Sequence, residues 1–160
     1  MAKLKKPKLW PEFADKIFRN LKNMIVLFDC NSYDKLINLS RNDLQKIRDR
    51  VEKIIMPQVV REQLNMMIER PDKIEKLSKI NQIIAEFDIA GKLAYIPTCD
   101  ANQIYFNSLP DKMKNGDKEI ALTAKEEGAV MVTDDESFLD GLRLINQRVC
   151  SFEEFLRFLV

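Results

Sequence analysis

The chain has 160 residues, 46% of them hydrophobic, which is enough apolar material for one core and too little for two. Its net charge of +1 conceals an asymmetry: residues 1 to 22 carry seven Lys or Arg against two acids, so this stretch is about +5 and the rest about −4. There is no histidine, and the three cysteines (Cys30, Cys99, Cys150) have no CxxC spacing, which excludes a zinc finger and a Cys/His nucleophile and fits a reduced, cytoplasmic setting. No apolar run approaches the roughly 20 residues that span a bilayer, so no membrane association is expected.

Taken in chain order, residues 1–23 form a basic arm. Trp10, Phe13, Ile17 and Leu21 fall at helical steps, and Pro11 suits a first turn, so an amphipathic helix follows a basic tip whose Lys3, Lys5, Lys6 and Lys8 are candidates for phosphate contacts. Met24 to Phe28 is a continuous apolar run of the kind buried on both faces of a parallel sheet, and Asp29 closes it. Ser40 caps a helix carrying Leu44, Ile47 and Val51, and Ile54 to Met56 reads as a second strand. Pro57 opens a helix that holds Glu62 and runs to Pro71; the next helix carries Ile74, Leu77, Ile80, Ile84 and Phe87 and ends at Gly91.

Leu93 to Ile96 gives a short third strand, Asp100 a cap, and Gln103 to Leu109 a weak helix, before the polar loop of residues 110–116. A strong helix starts at Asp117 and stops at Gly128. Ala129 to Val132 is a strand ending in Thr133, Asp134 and Asp135, and Phe138, Leu139 and Leu142 mark another helix. Arg148 to Cys150 reads as a last strand, with Ser151 and Glu154 as the capping box of a terminal helix. Strands alternating with helices predict an α/β fold, a three-layer α/β/α sandwich on a central parallel sheet of four or five strands, occupying residues 24–160.

Within that frame, Asp29, Glu62, Asp117 and Asp135 each punctuate a βα unit. Taken singly, each reads as an ordinary cap or solvated helix residue. Taken together they can project from one edge of a parallel sheet, where open α/β folds build their sites. Carboxylates gathered there repel one another, and a divalent cation resolves the conflict. An all-oxygen donor set favours Mg²⁺ or Mn²⁺, and the chemistry this supports is phosphodiester hydrolysis, with a water of lowered pKa and a polarised phosphate.

Four blocks carry a resemblance: Asp29 with Asn31 after a hydrophobic strand, Glu62 in VVREQL, DKEIALTA from Asp117, and VTDDESF from Val132 to Phe138. Together they resemble the PIN domain, a family of metal-dependent nucleases that includes VapC-like toxins, over residues 24 to 160. The last two blocks, whose acids stand 18 residues apart, are the most specific. The resemblance implies a metal-dependent endoribonuclease, with Asp29, Glu62, Asp117 and Asp135 as catalytic Mg²⁺ or Mn²⁺ ligands and an RNA substrate. It also implies Thr133 as a polar residue positioning water or phosphate and Asn31 as a supporting residue. Asp134 is the alternative fourth ligand, an antitoxin protein and a homodimer are assemblies left open, and the long Glu62 to Asp117 interval and the arm lie outside the compact-toxin pattern. The alternative reading is a PIN-like RNA- or protein-binding module with little or no catalysis. A receiver domain lacks its adjacent acid pair after the first strand, and no glycine-rich phosphate loop is present.

Overall fold

The computed structural model describes residues 24–97, 107–109, 113–144 and 147–159. The basic arm with its helix and lysines, Cys99, the Asp100 cap, most of the helix expected near Gln103 and the tip of the polar loop lie outside the described residues.

Among the described residues five strands form one sheet in the order β3-β2-β1-β4-β5, every pairing parallel: β1 (Met24–Phe28), β2 (Val51–Pro57), β3 (Leu93–Ile96), β4 (Val130–Val132) and β5 (Val149–Cys150). The helices that flank it are α1 (Cys30–Leu36), α2 (Arg41–Arg50), α3 (Gln58–Asn65), α4 (Ile74–Ile89), α5 (Asn115–Glu126), α6 (Glu136–Leu144) and α7 (Phe152–Phe158). The α/β class, the all-parallel sheet and its strand count agree with the sequence expectation.

Hydrophobic burial explains the centre of the sheet. Val26, Leu27 and Phe28 of β1 and Val130, Met131 and Val132 of β4 are buried, as strands covered on both faces must be. β2 is longer than its apolar part. It begins at Val51, opposite Met24, and a register irregularity after Met24 lets Glu52 and Lys53 stay in solvent while their backbone remains in the ladder. Patterning finds the apolar half of such a strand and misses the half held by hydrogen bonds alone.

Local signals set the helix ends. The Ser40 hydroxyl accepts the Asp43 N–H at 3.1 Å to start α2. At the end of α5, Gly128 adopts a φ of 64° and the Ala129 N–H reaches back to the Ala124 carbonyl at 2.8 Å, which closes the helix where a side chain would be strained. The capping box of α7 is present in full: Ser151 accepts from the Glu154 N–H, and the Glu154 carboxylate accepts from the Ser151 N–H. In α4 the buried stripe is Leu77, Ile80, Ile83 and Phe87; Ile74, in the first turn, is 49% exposed, and Ile83 takes the place expected of Ile84.

An aromatic cluster fastens the last residue of β1 to its neighbours. Phe28 meets Phe155 edge-on at 5.3 Å between ring centroids and Tyr33 at 5.9 Å, and Phe152 meets Phe155 at 6.3 Å. α1 and α7 are thereby locked to the same end of β1. That end carries Asp29.

Candidate metal centre at the switch point of the sheet

From β1 the chain runs outward to β2 and β3, then returns to lay β4 along the other side of β1. The edge beyond the carboxyl ends of β1 and β4 is therefore the topological switch point, where open α/β sheets build their ligand sites. Phe28 pairs with Val132 in the last row of that ladder, so Asp29 and Thr133 leave the sheet side by side.

Asp29 is held by every group around it. As the N-cap of α1 its Oδ1 accepts the Ser32 N–H at 2.9 Å and lies 2.6 Å from the Ser32 hydroxyl, while its Oδ2 accepts the Thr133 hydroxyl at 2.5 Å. Its own N–H donates to the Val132 carbonyl. Only 7% of the residue is exposed, and Ser32 and Thr133 are buried, so the carboxylate is fixed in direction before any ligand arrives. The Ser32 hydroxyl also lies 2.9 Å from the Val132 carbonyl, so its single proton is shared between two acceptors on adjacent strands.

Thr133 joins two acids. Besides donating to Asp29, its oxygen accepts the Asp135 N–H at 3.2 Å. Asp135 is exposed and caps α6, its Oδ1 accepting the Phe138 N–H at 3.2 Å and the Ser137 hydroxyl at 2.8 Å. Asp134, one residue earlier, is turned elsewhere: its Oδ1 accepts the Phe152 N–H at the start of α7 at 3.0 Å, and Oδ2 forms an ion pair with Lys35. The two neighbouring carboxylates therefore serve different corners of the molecule.

Asp117 stands half-buried in the first turn of α5. Its pKa is raised, first by desolvation, then by the negative charge of Asp135; Lys114 opposes the shift and Asp29 adds to it. Asp117 thus sits in the common field of Asp29 and Asp135, although the three come from β1, the start of α5 and the end of β4. Glu62 is exposed on α3, where its Oε1 accepts from Gln58 Nε2 at 3.0 Å, and it stands outside that set. Its helix is nonetheless close: a methyl placed on Gly116, the residue before Asp117, would touch Gln63 at 3.4 Å and Val59 at 3.6 Å. Asn31 is exposed in α1.

Among the described residues no three carboxylate or thiol groups stand close enough to form a finished cation cage. The donor chemistry fits a hard cation: Asp29, Asp117 and Asp135 offer oxygen alone, and the charges of Asp135 and Asp29 add to the burial that raises the pKa of Asp117. The thiol beside Asp29 takes no part as an anion, because burial first, then Asp34 and Asp29, push Cys30 up to about 11. Burial raises the Cys150 thiol further.

The sequence pattern missed Ser32. Its signal is its place three residues after a carboxylate that ends a strand, the position whose N–H a helix cap satisfies. Also missed were buried Tyr33, whose phenol is held neutral by burial first and then by Tyr95, Cys30 and Asp29, and the exposed pair of Arg61 and Tyr95.

No protein-family model and no curated protein matches the chain. Among solved structures it is similar to a chain in the crystal structure of VapBC2 from Rickettsia felis bound to a DNA fragment from their promoter, with a TM-score of 0.59 and 20% identity over 80% of this chain and 98% of that one. The likeness is one of fold. It spans nearly the whole of the other chain.

Proposed function

We propose that this protein is a PIN-like, Mg²⁺- or Mn²⁺-dependent endoribonuclease. The observation that carries the reading is the shared electrostatic field of Asp29, Asp117 and Asp135 at the switch point of the sheet. Carboxylates kept in mutual repulsion at a ligand-binding edge are what a divalent cation is suited to neutralise. The fold likeness to a VapBC2 chain supports the same reading.

A divalent cation bound there supplies Lewis-acid polarisation of a phosphate and acidifies water. The protein's own part is positional. Thr133 and Ser32 aim the Asp29 carboxylate, Asp135 holds the N-terminus of α6 with one oxygen, and Asp117 contributes a half-buried carboxylate from the first turn of α5. Glu62, on the helix resting against the first turn of α5, completes the expected ligand set from the rim, and Asp134 remains with Lys35 and the α7 N-terminus. Asn31 and the lysines of the arm are assigned to substrate support. An antitoxin protein and a homodimer are the partners that the resemblance to VapC-like toxins adds to this reading.

The test is cleavage of mixed RNA and DNA substrates with and without Mn²⁺, wild type against Asp117→Asn. Divalent-dependent RNA cleavage lost in the variant is the expected result. A binding module without catalysis instead gives no Mn²⁺-dependent product from wild type.

A further inference from the structure

We propose that Tyr95 and Arg61 form a stacking platform that holds an unpaired base of single-stranded RNA beside the carboxylates. The inference rests on the nuclease reading for its substrate class and adds a specificity-determining element to it.

Tyr95 lies on the edge strand β3 with 46% of its surface exposed, unusual for the ring of a sheet residue. Its place along the strand is fixed by register. Tyr95 pairs with Met56, Phe28 with Val132, and Val132 with Cys150, while one step earlier Ala94, Ile55, Leu27, Met131 and Val149 make a continuous row. Tyr95 therefore belongs to the row of Phe28, one step before the final Pro57–Ile96 pair, and lies toward the end of the sheet that carries Asp29. Two interstrand spacings separate β3 from β1, so the backbone of Tyr95 lies about 10 Å across the sheet from that of β1. The buried Tyr33 phenol senses both Tyr95 and Asp29, in keeping with that placement.

Above the ring lies the Arg61 guanidinium, its Cζ 4.9 Å from the centroid. Arg61 is exposed on α3, the helix that follows β2 and rests against the first turn of α5 beside Asp117, so the cation and the ring lie toward the carboxyl end of the sheet. Aromatic rings and guanidinium planes are the two surfaces on which proteins stack unpaired bases, and a cation beside a ring also offers charge to the phosphate that accompanies the base. An exposed cation–π contact is weak enough for a base to join it or to displace one partner. A duplex keeps its bases stacked on one another and gains nothing from such a platform.

The experiment measures binding without cleavage: anisotropy of a fluorescent single-stranded oligoribonucleotide and of its duplex, with EDTA present, on the full chain. We expect Tyr95→Ala to weaken single-strand binding about tenfold, while Tyr95→Phe and Tyr95→Trp stay within about twofold and duplex binding is unchanged. Arg61→Lys, which keeps charge and loses the plane, is expected to fall with Arg61→Ala. Unchanged melting temperatures separate these losses from misfolding. Wild-type affinity in Tyr95→Ala, an equal loss on duplex, full binding by Arg61→Lys, or no measurable wild-type binding overturns the platform. If Tyr95 governs binding while wild type cleaves nothing with Mn²⁺, the platform stands and the nuclease reading fails. If RNA is cleaved by Tyr95→Ala as by wild type, with equal affinity, the reverse holds.

Discussion

Two corners at the carboxyl end of the same sheet treat negative charge in opposite ways. Where β5 turns into α7, Glu154 accepts from the Ser151 N–H and from Arg143 Nη2 at 2.7 Å, and Asp134 accepts from the Phe152 N–H and pairs with Lys35. Each carboxylate there has a cation and a helix N-terminus. Where β1 meets β4, Asp29, Asp117 and Asp135 have hydroxyls, N–H groups and each other, and the cation that acts on Asp117 is Lys114. The first corner is finished by the chain itself. The second gathers three carboxylates with one opposing cation, the contrast on which the proposed metal site rests.

That contrast predicts a rank order of effects. The largest belongs to the unfinished corner: Asp29→Asn or Asp117→Asn lowers Mn²⁺-dependent cleavage by more than about 100-fold in a kinetic assay, with the fold retained by circular dichroism. Next is the finished corner. Arg143→Ala strands a largely buried Glu154 and costs about 3 kcal/mol in a denaturant titration, since breaking one side of a buried pair leaves a charge uncompensated, while cleavage per folded molecule is unchanged. Thr133→Val keeps shape and removes the hydroxyl linking Asp29 to Asp135; it costs about 1–2 kcal/mol and weakens Mn²⁺ binding about tenfold by calorimetry.

The smallest effect has the opposite sign. The folded-state pKa of Asp117 is raised above its ordinary value, so between the two values the folded chain holds more protons than the unfolded one, and this group's contribution to stability falls as pH rises through that window. At pH 7 without metal the carboxylate is therefore a cost. Asp117→Asn is expected to raise the apo-protein melting temperature by about 1–2 °C, a modest figure because the half-exposed site is partly screened. A lower melting temperature would mean that the corner is satisfied without a ligand.

The sheet was legible because its strands are apolar, and the acids were legible because they end those strands. What escaped was held by hydrogen bonds and not by hydrophobicity. The segment CNSYDKL carries no apolar stripe, yet it forms α1 because Asp29 caps it and Ser32, Tyr33 and Leu36 are buried. Asp134 and Asp135 are chemically identical neighbours, and only the approach of α7 and Lys35 to one of them sets them apart. Arg61 and Tyr95 lie 34 residues apart, and parallel pairing of β2 with β3 makes them a unit. Glu62 shows the converse: its residue type fits the ligand pattern, while the exposed place on α3 that it occupies is set by packing, and it is not among the charges that act on Asp117.

The most direct test is Mn²⁺ binding at pH 7 followed by electron paramagnetic resonance of the free ion, for wild type, Asp117→Asn, Asp135→Asn and Asp134→Asn. Binding by wild type and Asp134→Asn, with loss in Asp117→Asn and Asp135→Asn, is the result predicted by a cation held at the unfinished corner. Equal binding by all four proteins, or loss confined to Asp134→Asn, would contradict it.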